Sequence, residues 1–193
     1  MTHALLALSR LIDAVTALIG RGVKWAILAA ILVSAANAIV RKAFDLSSNA
    51  WLELQWLLFG AAFMLAAAYT LQMNAHVRID VISSRLSKRT RDVIELLGHL
   101  LILAPISLIL LWLSWPYFLE SYVEGEISSN AGGLPVWPAK FLIFAGILLL
   151  CLQMLSEVIK RSLVLAGRIE DPTFTPAHGP APSGSPPGGA HRE

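Results

Sequence analysis

The side chains able to do chemistry in this chain stand inside or at the ends of long apolar runs. They are Asn37, Glu53 and Gln55, Glu95 and His99, and Gln153 with Glu157. An ionisable group in hydrocarbon is costly unless paired or hydrated, so each needs an account. A carboxylate there can bind a coupling ion, relay a proton or tie two helices together, and a histidine can also ligate haem. Depth decides among these. Glu53 stands about one turn from the end of its run, within reach of Arg41 or Lys42. Glu157 is spaced i,i+4 from Arg161, and Glu95 and His99 begin close to a basic segment. None falls at the midplane, where carriers place substrate or ion sites, and no pair of broken helices lines a cavity there. Interhelical and headgroup-level contacts are the expected roles. His99 is the only histidine well inside a run, which argues against a dihaem anchor. No metal spacing, phosphate-binding glycine loop or nucleophile elbow occurs, so no enzyme activity, metal or cofactor is expected.

The elements that must position these groups are set by composition. The chain is 56% hydrophobic and 15% charged, with a mean hydropathy of +0.65. Soluble domains carry about 25% charge, so an all-α integral membrane protein is expected. Four runs approach or exceed the ~20 apolar residues that a spanning helix needs. They cover 23–40, 51–73, 93–115 and 136–159, within a transmembrane domain of 23–165. Arg41-Lys42, Asn74, Pro116 and Lys160-Arg161 read as their stops, and Pro105 as a kink in the third. In residues 1–22, Leu5, Leu8, Ile12, Val15 and Ile19 recur at helical spacing, with Ser9, Arg10, Asp13 and Thr16 on the other side. This predicts an interfacial amphipathic helix ending at a Gly20-Arg21-Gly22 corner; the alternative is one long bent helix over 3–40. The Pro- and Gly-rich stretch 166–193 predicts a disordered tail. Cys151 sits in an apolar run as a small buried hydrophobe.

Charge sets orientation. Twelve of the fifteen Lys and Arg residues fall on the face that holds both termini and the segment between the second and third spans. The opposite face has only Arg41, Lys42 and Lys140. The positive-inside rule then predicts N-in/C-in topology. Arg10, Arg85, Lys88, Arg89 and Arg91 are placed to meet phospholipid headgroups, and nucleic acid is not an expected partner. The outer segment 116–140 is acidic through Glu120, Glu124 and Glu126. Trp115, Tyr117, Tyr122 and Trp137 suit an aromatic belt.

Small residues recur in the second span as Gly60-Ala61-Ala62 and Ala66-Ala67-Ala68, which lets helix backbones approach in lipid. They serve either the bundle itself or a further membrane subunit. Four marks follow one another along the chain: Glu53 in Trp51-Leu-Glu-Leu-Gln-Trp56 with Gly60; the exit His76-Val-Arg78-Ile-Asp80; Ser128-Ser-Asn-Ala-Gly-Gly-Leu-Pro-Val-Trp-Pro-Ala-Lys140; and Gln153 with Glu157. In this order, over about residues 10–165, the chain resembles the small, DctQ-like permease subunit of tripartite ATP-independent periplasmic (TRAP) transporters.

The resemblance implies a scaffold in the bacterial inner membrane for a large permease subunit of elevator type. That partner would hold the substrate and sodium sites, and a periplasmic binding protein would deliver an organic acid, usually a carboxylate. The small subunit would have no substrate site. Glu53, Gly60, His76, Arg78, Asp80, Gln153 and Glu157 become candidates for structural or interface roles, and Glu120, Glu124, Glu126, Trp137 and Lys140 for periplasmic contacts. The basic segment serves either this assembly or only orientation and lipid contact. The competing reading is a self-contained homodimeric carrier with Glu53 as coupling carboxylate.

Overall fold

The computed structural model describes residues 2–46, 48–73 and 87–169, with the Lys88 side chain also outside the described set. These residues are helical almost throughout: α1 (Thr2–Phe44), α2 (Asn49–Gln72), α3 (Lys88–Gly98), a π-helical turn (His99–Leu103), α4 (Ala104–Glu124) and α5 (Trp137–Leu165). With α3, the π turn and α4 forming one rod, four helices are long and apolar enough to cross a membrane. The all-α, four-span expectation is met.

The corner expected at Gly20-Arg21-Gly22 is absent. α1 runs through it as one helix of 43 residues. Gly20 is there for contact: a Cβ on it would lie 2.3–2.7 Å from Tyr69 atoms. Ser9, Ile12 and Thr16 are buried, so this stretch packs on the bundle as part of a continuous helix. Asp45 ends α1 in the left-handed conformation (φ 53°), and Arg41 and Lys42 in the last turn oppose the negative end of the helix dipole.

Two further stops fail for identifiable reasons. Pro116 does not close the third span; α4 continues to Glu124 and ends at left-handed Gly125. A proline forfeits one ladder hydrogen bond, and here ring packing holds the added turns. Trp115 and Phe118 meet Phe144 and Phe141 of α5 with centroids 5.1 and 5.3 Å apart. Tyr122 meets Trp137 edge-on at 5.5 Å. Lys160-Arg161 does not close α5, which continues to Leu165, because both side chains turn inward to carboxylates. At Pro105 the ladder widens instead of breaking: Ala104 N–H donates to His99 C=O, one residue beyond α-helical reach.

α5 is the hub. It packs against α1, α2 and α4, whereas α4 touches neither α1 nor α2 to any comparable extent. Gly146 of α5 permits the closest approach, since a Cβ there would lie 2.8 Å from Met64 Cβ and 2.9 Å from the Met64 carbonyl oxygen on α2. α4 reaches α5 through Ser107, Ser114 and Ser121, buried at seven-residue intervals. The result is a splayed sheaf around α5, with broad apolar faces left on α1 and α4.

Candidate functional site

The polar groups collect at the two ends of the sheaf. At the end carrying the 125–136 loop, Glu53 receives three donors: Ser128 Oγ at 2.5 Å, Asn130 Nδ2 at 2.7 Å and the Leu134 backbone N–H at 2.6 Å. A short antiparallel bridge between Ile127 and Pro135 folds the loop so that all three face the carboxylate. Gly132 takes the left-handed turn (φ 70°), and Gly133 leaves the room: a Cβ on it would lie 2.6 Å from Ser128 Cβ and 2.9 Å from Glu53 Oε1. Asn49 Nδ2 adds a bond to Ala131 C=O. Arg41 and Lys42, expected as partners of Glu53, are exposed and make no ion pair with it. The loop outcompetes them because its donors are a backbone N–H and two short side chains already held by the folded loop, whereas a long cationic side chain has to be immobilised.

Beside this loop, Lys140 pairs with Glu126 at 2.5 Å and lies 4.1 Å from the Tyr117 ring centroid. The Lys140 hydrogen bond holds the Glu126 carboxyl below its usual range. Trp137 is half-buried against Tyr122, while Glu120 and Glu124 are exposed.

At the end carrying the described termini of α1 and α5, a buried network joins the helices. Asp13 of α1 accepts from Gln153 (2.9 Å), Ser156 (2.8 Å) and Lys160 (3.1 Å) of α5. Ser9 and Ser156 share a hydroxyl contact of 2.7 Å, and Gln72 of α2 donates to the Asp13 carbonyl. Glu157, 2% exposed, pairs with Lys160 and accepts from Gln153. The expected i,i+4 pair of Glu157 with Arg161 is replaced. Arg161 swings to α3, where it meets Asp92 at 2.9 Å and Glu95 at 2.6 Å. A guanidinium fork reaches two carboxylates on one helix, which the shorter-range i,i+4 contact cannot match.

Glu53 and Gln72 are 19 residues apart on α2, or ~29 Å of helix, close to the hydrocarbon thickness of a bilayer. On α2 no Asp, Glu, His, Lys or Arg lies between these two residues. Between α2 and α5, running from the loop towards the Gly146–Met64 contact, is an apolar cleft of ≈ 410 Å³. Gly60 lines it and faces open space.

Of the expected site residues, Glu53 and Gly60 belong to this loop end, and Gln153 and Glu157 to the buried network. Arg10, Arg89 and Arg91 are exposed near the network end. His76, Arg78, Asp80 and Arg85 lie outside the described residues, as does the Lys88 side chain. The residues missed are Ser9, Asp13, Asp92, Ser156, Lys160 and Arg161. A signal for them existed: Ser9, Asp13, Thr16 and Gly20 form a helical stripe on α1, matched by Gln153, Ser156, Glu157 and Lys160 on α5.

Residues 30–163, more than two thirds of the chain, match the family model for the DctQ component of tripartite ATP-independent periplasmic transporters. The chain belongs to this family. A comparison with curated proteins and with solved structures gives no match. DctQ membership makes the chain the small permease component of such a transporter, a transport subunit. The four apolar helices add that it is a multi-pass protein, and together they point to the inner membrane. The sequence marks far apart in the chain, Trp51–Trp56 and Ser128–Lys140, form one structure at Glu53.

Proposed function

We propose that this DctQ subunit is the fixed support for a large sodium-coupled permease that takes up an organic acid, a carboxylate, delivered by a periplasmic binding protein. The observation that carries the reading is where its charges go. Among the described residues, the buried and half-buried carboxylates stand near the two ends of the sheaf, tied to another helix or to the loop, and the ~29 Å of α2 between Glu53 and Gln72 carries no charged residue. A substrate or ion site of its own would need polar groups near the midplane. Sodium and substrate then belong to the large partner, and no cofactor is assigned to this chain.

Both termini lie in the cytoplasm in this reading, on the positive-inside rule. Lys160 and Arg161 are spoken for by carboxylates, yet with those two set aside ten cationic residues still stand against three. The Glu53 loop then faces the periplasm, and the adjoining end of α4 offers Glu120 and Glu124 to the binding protein. For His76-x-Arg78-x-Asp80, outside the described residues, the same rule gives a cytoplasmic location. The rival role of Glu53 as a coupling carboxylate is disfavoured by its three bonds to the loop.

The test is reconstitution in sodium-loaded and sodium-free vesicles. Uptake is expected only with the large subunit and binding protein both present. Solute flux through the purified small subunit alone would overturn the support role.

A further inference from the structure

We infer that the cleft between α2 and α5 is a phospholipid site selective for a primary-ammonium headgroup. It is lined on α2 by Trp56, Leu57 and Met64, with Gly60 as a bare patch, and on α5 by Leu142 and Ile143. Its polar lining, Glu53, Ser128 and Asn130, is confined to the loop end. From Glu53 to Met64 is 11 residues, ~16 Å of helix, or about half the hydrocarbon thickness. The cleft therefore spans one leaflet, with polar groups at headgroup depth and apolar walls below. An apolar groove open to hydrocarbon fills with hydrocarbon, because water gains no partners there. Its length and its single polar end fit an acyl chain hung from a headgroup.

Charge selects the headgroup. Glu53 is bound only by neutral donors, and among the described residues no cation pairs with it. Lys140, the cation of the neighbouring helix turn, is committed to Glu126. A carboxylate has about four acceptor positions, of which the loop uses three. A primary ammonium supplies both the missing charge and an N–H donor. Choline supplies charge without a donor, and a glycerol headgroup leaves two anions facing each other. Phosphatidylethanolamine is the lipid this chemistry fits.

The inference needs only a membrane-spanning DctQ chain, whichever way it points, and is independent of the support role proposed above. The full chain would be purified in mild detergent, exposed to equal amounts of phosphatidylethanolamine, phosphatidylcholine and phosphatidylglycerol, and its retained lipid read by native mass spectrometry. Retention of phosphatidylethanolamine over the other two is expected. Gly60→Leu should abolish that retention with helicity unchanged, because a Cβ at Gly60 meets nothing within 4 Å. Glu53→Gln should leave a chain in the cleft but remove the headgroup preference. Equal retention of all three lipids by the unmodified chain would overturn the headgroup assignment. Unchanged retention in Gly60→Leu would overturn the site, as would a co-purified protein partner that this variant loses in place of lipid.

Discussion

At one end of this molecule a single carboxylate is held by neutral donors from one loop. At the other, Asp13, Asp92, Glu95 and Glu157 share Lys160 and Arg161 across three helices. Glu53 stays half-exposed, and if it were lost its donors would find water. Arg161 is 5% exposed and Asp92 6%, so losing one strands the other where no water reaches. The two ends therefore hold helices together by different physics. The loop end is a directional hydrogen-bond latch that can open without leaving a buried charge; the network end is a desolvated ion cluster that has to stay whole.

The sharpest way to break this contrast is Arg161→Met. It leaves Asp92 and Glu95 facing each other, and a loss of about 3–5 kcal/mol is expected from a broken buried pair. Thermal unfolding in detergent should show it, with partial recovery in the Asp92→Asn, Glu95→Gln, Arg161→Met triple variant. If Glu53→Gln destabilises as much as Arg161→Met, the two ends are not different in kind. A smaller effect is expected at the seam between them. Gly146→Val drives a side chain into Met64 and its carbonyl, with an expected loss of about 1–3 kcal/mol from overpacking. Gly60→Val, which meets open space, serves as its control.

The smallest effect is a pH dependence confined to the loop end. Hydrogen bonding to Lys140 depresses the Glu126 carboxyl in the folded chain. Its contribution is thus present above the ordinary carboxylate value of 4.5 and is lost as pH falls through the lower folded value. Tryptophan fluorescence, through Trp137, should follow that loss in acid, and Glu126→Gln should remove it. An acid transition of the same size in that variant would assign the change elsewhere.

Much of the fold was legible because lipid imposes a strong code. Four long apolar runs can satisfy their backbones only as helices, so their number and rough positions follow from hydropathy. Their ends were less legible. Proline and paired cations look like stops, yet Pro116 is held in the helix by packed rings, and Lys160 and Arg161 by buried carboxylates. At the candidate site, Glu53, Gln153 and Glu157 stood out as charges or amides in apolar sequence. Asp13 did not, because it sits in a stripe that looks like the wet face of an amphipathic helix.

The apolar spans, the family marks and the placement of charge near the span ends could all be read along the chain. These depend on residue type and one-dimensional spacing alone. Which charge meets which came only with the packing of the helices. It turned Gly20 from a corner into a contact, gave Glu53 to the loop in place of Arg41 or Lys42, and sent Arg161 across to α3. The reason is geometric. Helical periodicity states which face a residue occupies but not what covers that face, and a polar stripe looks the same whether water or another helix lies against it.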